Sequence, residues 1–217
     1  MPQSATRRFL YVEGKDDEHV IGQLLIRRGA DPQSLPQFKD MGGKQGVLRA
    51  MKVSIGAGTG KSLGFVLDAN DDPANTWTAA ASRLREAGVR VPNEIPVGGF
   101  VGESTKFGTR VGVWLMPDNR QAGALEDFLA ALVSEGDRLL PHARNSMRKA
   151  RLLGARFSDA YTGKALLHTW LAWQEEPGRP YGVAIKARYL RDDSDAARRL
   201  VAWFGSVFGL NVASSPD

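Results

Sequence analysis

Cysteine is missing from the chain altogether, which excludes disulfides and thiolate metal centres. Histidine is scarce, and His19, His142 and His168 show no metal-ligand spacing. No run approaches the roughly 18 apolar residues of a membrane span. The opening Met-Pro-Gln-Ser-Ala-Thr-Arg-Arg lacks the apolar core of a signal peptide. There is no internal repeat and no low-complexity tract. These absences lead to the expectation of a cytoplasmic protein with no membrane partner. What is present is a chain of 217 residues, long enough for one large domain or a domain with an appendage. Its 42% apolar and 24% charged residues are the balance of a soluble globular protein. A net charge of +5 points toward a polyanionic partner only if the basic residues are grouped.

The stretch from Arg8 to Glu18 organises the rest. Phe9 to Val12 is a short apolar run that reads as a buried strand, and Glu13-Gly14 ends it with a carboxylate and a freely turning residue. Lys15, Asp16, Asp17 and Glu18 then open a helix carrying Val20, Ile21, Leu24, Leu25 and Ile26, with acids in the first turn where the helix dipole favours them. Open α/β sheets bind ligands at the carboxyl ends of their strands, and Glu13 stands at such an end. Asp17, one helical turn in, can point back toward it. The plain alternative is a strand-to-helix turn with ordinary capping acids.

Further strands are expected at Gln37–Met41, Leu63–Leu67 and Val111–Met116. Helices are expected around Val47, Leu48 and Met51, from Pro73 through Trp77 and Leu84, and across Leu125, Phe128, Leu129 and Leu132. This alternation predicts an α/β fold with a mostly parallel sheet covered on both faces. From about Glu135 the pattern is helical over Arg138–Leu153, Ser158–Trp173 and Ser194–Phe208, with a loop at Glu175–Pro180. We therefore expect a core over 6–135 and a helical extension over 136–212, packed on the sheet through Trp170, Trp173, Trp203, Phe204 and Phe208. Ala213 to Asp217 are expected to fray.

Gly56-Ala57-Gly58-Thr59-Gly60-Lys61-Ser62 imitates a phosphate-binding loop. That motif needs four residues between its first glycine and Gly-Lys, and only three separate them here. It also joins a strand to a following helix, whereas these glycines follow a helix and precede a strand. A connector is the better reading.

Acids gather at three strand ends: Glu13 with Asp17, then Asp68-Ala69-Asn70-Asp71-Asp72, then Asp118 followed by Glu126-Asp127. In a parallel sheet these ends share one edge. Clustered oxygen ligands suit Mg²⁺ or Mn²⁺, and carboxylates brought together repel unless a cation joins them. Helix capping accounts well for Asp17 and Asp72, less well for Asp68 directly after an apolar strand.

Val-Glu-Gly-Lys-Asp-Asp-Glu at 12–18 and Val-Leu-Asp-Ala-Asn-Asp-Asp at 66–72 resemble the TOPRIM domain, with its Glu-Gly turn after the first strand and Asp-x-Asp after a later one. Trp-Leu-Met-Pro-Asp-Asn-Arg-Gln-Ala-Gly-Ala-Leu-Glu-Asp-Phe-Leu at 114–129 is similar to small stand-alone TOPRIM proteins related to OLD-type nucleases. The resemblance covers roughly 6–210. It implies a TOPRIM-like, Rossmann-like sheet and Mg²⁺- or Mn²⁺-dependent phosphodiester chemistry. By carry-over, Glu13 and Asp17 match the pair that holds one metal and Asp68 a shared ligand. Asn70 stands where the second Asp of the motif belongs, a departure that weakens a metal site; Asp71 or Asp72 would compensate, with Asp72 preferred. Glu126, with Asp127 beside it, matches the acid opening the later helix, and Lys164 the downstream lysine that would offset transition-state charge. A lysine opening an amphipathic helix is otherwise simply solvated. No tyrosine stands in an evident nucleophile setting, so hydrolysis is favoured over covalent strand passage.

Arg144, Arg148 and Arg151 fall at i, i+4, i+7 with Lys149 among them, and no acid occurs from Arg138 through Ser158. Such a stripe could follow a nucleic-acid backbone; a solvated face or a contact with an acidic protein explains it equally. Three functions follow. The first is a metal-dependent nuclease acting on DNA or RNA, in anti-phage defence as the family's members suggest. The second is a catalytically weak TOPRIM subunit working as a nucleic-acid-binding or regulatory partner of an ATPase. The third is a primase- or ribozyme-maturation-type nucleic-acid binder. The sequence leaves the oligomeric state open.

Overall fold

Period-two alternation along the apolar strands decides how the molecule is layered. The computed structural model describes residues 7–57 and 61–210. Five strands form one sheet: β1 (Arg7–Val12), β2 (Gln37–Asp40), β3 (Lys61–Asp68), β4 (Phe100–Ser104) and β5 (Thr109–Met116). Their order is β2-β1-β3-β5-β4, with β4 antiparallel to β5 and the other pairings parallel. The helices are α1 (Lys15–Arg27), α2 (Lys44–Gly56), α3 (Pro73–Glu86), α4 (Leu125–Ala130), α5 (Leu139–Leu152), α6 (Thr162–Leu171), α7 (Tyr181–Lys186) and α8 (Asp195–Phe208).

Leu63, Phe65 and Leu67 of β3, with Val111, Val113 and Leu115 of β5, bury one face of the sheet against Met51 and Ile55 of α2 and Trp77 and Leu84 of α3. The intervening residues, Val66, Trp114 and Met116, join Leu10 and Val12 of β1 on the other face, where α1, α4, α6, α7 and α8 pack. Covering both faces explains why β3 is an almost unbroken buried run rather than an alternating one. The fold is α/β and Rossmann-like, a mostly parallel sheet flanked by helices and followed by further helices, as the alternation predicted.

Two elements were not foreseen. Strand β4 is an antiparallel edge interrupted by Gly102, and only its end residues Phe100 and Ser104 are buried, so it offers no apolar run to read. Helix α7 is six residues long and begins directly after Pro180, just past the expected loop, where no element was expected. Arg27 ties it to α1: its guanidinium donates to the carbonyls of Ile185 (2.7 Å) and Leu190 (3.1 Å) and pairs with Asp192 (3.0 Å). Trp173, expected on the sheet, is 39% exposed and lies against His142, while Trp203, Phe204 and Phe208 of α8 are buried as expected. Helix α2 ends at Gly56 and β3 begins at Lys61, so the glycine-rich stretch does follow a helix and precede a strand; Gly58 to Gly60 lie outside the described residues, as do Ala213 to Asp217. Among the described residues no helix is long and apolar enough to cross a membrane.

α8 presses onto the sheet where two glycines stand side by side. Gly64 of β3 pairs with Gly112 of β5. A Cβ on Gly112 would meet Val207 at 2.2 Å, and one on Gly64 would meet Leu10 at 2.6 Å and Phe208 at 3.0 Å. Overpacking of this kind costs roughly 1–3 kcal/mol. Gly112→Ala should therefore lower the free energy of unfolding by about that amount in urea titration; an unchanged midpoint would show that α8 is not seated as described.

Candidate functional site at the carboxyl edge of the sheet

The parallel strands β1, β3 and β5 all end on one edge, and the acids after them are drawn together by main-chain hydrogen bonds. Glu13 follows β1, and its Oε1 accepts the amide N–H of Asp68 at 2.9 Å. Asp68 closes β3, and its Oδ1 accepts the N–H of Leu125, the first residue of α4, at 3.1 Å. That N–H leaves Glu126, the next residue, beside the same edge. Asp17 completes the group: its Oδ2 accepts the Gly14 N–H at 3.0 Å, capping α1, and its side chain is buried.

Four carboxylates from β1, β3, α1 and α4 now share one field. Burial raises the Glu13 carboxyl above its usual value, opposed by N–H donors from Asp68 and Lys44 and by the Lys44 ammonium. Burial first, then the charges of Glu13 and Glu126, push Asp17 up to about 7. Asp68 is pushed up to about 8 by burial and by Asp17, Glu13 and Glu126. Lys164 pairs with Glu126 at 3.7 Å and with Asp16 at 3.9 Å, and among the described residues no ion pair reaches Asp17 or Asp68.

The remaining sequence candidates separate clearly. Asp127 repeats the capping of Asp17, accepting the Ala124 N–H at 2.9 Å, but is exposed on the solvent side of α4. Asp72 caps α3 through the Asn75 N–H and is likewise exposed, and Asp118 folds back on the N–H groups of Arg120 and Gln121. Asn70 sits at φ +54°, a conformation Asn tolerates better than most residues. Its main chain exchanges two 2.7 Å hydrogen bonds with Gly123. Asn70 thus clamps the segment that delivers Glu126, a job done by backbone rather than by side chain.

Of the basic residues on α5, Arg144, Arg148, Lys149 and Arg151 are all exposed. Arg151 is committed to Asp159, to Thr162 at 3.1 Å and to the Phe157 ring, which fixes the turn into α6. Arg148 bonds Asn145. Arg144 lines a groove of about 400 Å³ together with Asn70, Glu126, Thr162 and Gly163, which joins the basic helix to the acid edge.

Two residues near the acids carried no sequence signal for this role. Asp16 read only as a first-turn acid, yet it shares Lys164 with Glu126. Tyr181, buried at the start of α7, follows Pro180 in a stretch with no periodicity.

The donor set fits a hard divalent cation in charge and atom type, because buried carboxylates without a counter-charge are costly and oxygen-only ligands suit such ions. Among the described residues no three histidine, cysteine or acidic side chains already stand in an arrangement that holds a metal, so ligands would have to close around it. Fold and edge together define a Rossmann-like α/β protein with an acidic, electrostatically strained centre at the ends of its strands. The chain belongs to the family described as protein of unknown function DUF3226, whose profile matches residues 7–209. No curated protein and no solved structure matches it.

The raised carboxyls make a definite demand on stability. Between the ordinary aspartate value of 3.8 and the folded values of about 7 and about 8, the folded chain holds protons that the unfolded chain has released. Stability present below that window is lost as pH rises through it. The metal-free protein should melt at progressively lower temperature from pH 5 to pH 8. Asp68→Asn, which keeps an oxygen for the Leu125 N–H, should flatten that slope and raise the melting temperature at pH 8. Parallel slopes for the two proteins would contradict the strain.

Proposed function

We propose that this chain is a metal-dependent nuclease that hydrolyses phosphodiester bonds of DNA or RNA with Mg²⁺ or Mn²⁺. The observation that carries the reading is the convergence of Glu13, Asp17, Asp68 and Glu126, with Asp17 and Asp68 in no ion pair among the described residues, supported by the resemblance of the same segments to TOPRIM motifs. A hard divalent cation held there supplies activation of water and stabilisation of the leaving oxygen. The chain's own residues do the rest. Glu13 and Asp68 stay aligned through the Asp68 N–H. Lys164, loosely paired with Glu126, offsets negative charge that develops at phosphorus. Arg144 and its neighbours on α5 guide the polyanion along the groove toward the acids. Anti-phage defence with an ATPase partner, which the resemblance implies, and a cytoplasmic location, expected from the lack of cysteine, belong to this reading.

A second reading has one observation of its own. Asn70 stands where the TOPRIM motif has its second Asp, and its side-chain amide donates to the Asp68 carbonyl at 3.4 Å. On that reading the chain is a catalytically weak TOPRIM subunit that binds nucleic acid or regulates a partner protein.

Incubation with single- and double-stranded DNA and RNA in Mn²⁺ separates the two. The nuclease reading expects cleavage that disappears with chelator and falls to background in Asp68→Ala. Binding without cleavage under every cation tried would leave the second reading standing. In either case Arg148→Ala and Lys149→Ala should each reduce the slope of log affinity against log salt by about 1. A slope unaltered in both would remove α5 from the nucleic-acid surface.

A further inference from the structure

Lys164 and Tyr181 both stand near the carboxylates of Glu126 and Asp16, and His168 lies against Tyr181. Lys164 and His168 stand four residues apart on α6, hence on one face of the helix. The Lys164 ammonium spans Asp16 and Glu126 at 3.9 and 3.7 Å, too long for tight pairing. The His168 ring stacks on Tyr181, centroids 5.2 Å apart and planes 28° from parallel. Tyr181 is 2% exposed, and its buried hydroxyl has no hydrogen-bond partner among the described residues. Leaving a buried hydroxyl unpaired costs roughly 1–3 kcal/mol, so the fold accepts a penalty here.

Nor is Tyr181 loosely held. Its neighbour Gly182 lies so close to α1 that a Cβ would meet His19 at 2.9 Å, and Arg27 anchors the far end of α7 by its bonds to Ile185 and Leu190. The phenol is therefore fixed against the first turns of α1. Burial, then the charges of Glu126 and Asp16, raise it well above the usual tyrosine value, which keeps it a protonated donor at neutral pH.

We propose that Lys164, His168 and Tyr181 form the corner that receives a phosphoryl group next to the acid cluster. This rests on the nuclease reading, because the carboxylates of Asp16 and Glu126 repel an anion until a cation offsets them. The division of labour is then spatial. Glu13, Asp17 and Asp68 face the cation, and the corner presents an ammonium, an imidazole N–H and a phenol O–H to the phosphate oxygens. The same chemistry would accept an internal diester or a terminal phosphate.

Calorimetric titration of the full chain in Ca²⁺, a hard cation with the same oxygen preference, tests the corner with two probes, dithymidine monophosphate diester and thymidine 5′-phosphate. Tyr181→Phe and His168→Gln should each weaken at least one probe by about tenfold, and which probe weakens tells diester from terminal phosphate. Mn²⁺ affinity should match wild type in both variants. The metal-free melting temperature of Tyr181→Phe should not fall, because the hydroxyl removed has no partner to lose. Wild-type affinity for both probes in both variants overturns the corner and leaves the nuclease reading intact. A lowered melting temperature of Tyr181→Phe with unaltered probe binding shows a structural hydroxyl and overturns it too. If the wild-type chain takes up neither Mn²⁺ nor a probe, the nuclease reading falls and the corner with it.

Discussion

The molecule turns on burial compounded by repulsion: Asp17 and Asp68 are sunk into the edge of the sheet, where both feel the charges of Glu13 and Glu126 and Asp68 feels that of Asp17 as well. A fold that only needed caps could have used the exposed arrangement of Asp127, which bonds the same kind of N–H at the same kind of helix start without burying its charge. The contrast between these two capping aspartates isolates what is particular to the edge. Capping explains why each acid is on its helix; it does not explain why one is buried beside three others. Local rules broken without a compensating gain tend to mark functional positions.

The scaffold holds that repulsion in place with main-chain bonds. The Glu13 carboxylate accepts from Asp68, Asp68 accepts from Leu125, and Asn70 and Gly123 exchange two more bonds across the loop before α4. None of these needs a cation to form, so the edge is assembled by β1, β3 and α4 alone. Behind it, the glycine pair in β3 and β5 lets α8 settle flat on the sheet, and Arg27 fastens α7 to α1. The later helices thereby complete the core and also bring Lys164 and Tyr181 to the acids.

Sequence patterns revealed the parts of the fold that bury continuous apolar runs. β1, β3 and β5 were legible because both faces of each strand are covered, and the capping role of Asp72 because Pro73 follows it directly. β4 was hidden because an antiparallel edge broken by Gly102 buries little, and α7 because six residues are too few for periodicity to show. At the site, Glu13 and Asp68 could be read from their places after apolar strands. Asp127 stands beside Glu126 in the sequence, and only geometry shows it turned to solvent while it caps α4. Asn70 looked like a damaged ligand, whereas its main chain is what the structure uses. Tyr181 lies in the field of Glu126, more than 50 residues away in the chain, and of Asp16, more than 160 away, which no local pattern encodes.

Crystals of the chain soaked in Mn²⁺ and measured for anomalous scattering probe the central claim most directly. The account predicts manganese bound between Glu13, Asp17, Asp68 and Glu126, with Asp72 and Asp127 still capping their helices. Manganese absent from that edge at millimolar concentration, or bound by the exposed acids instead, would contradict it.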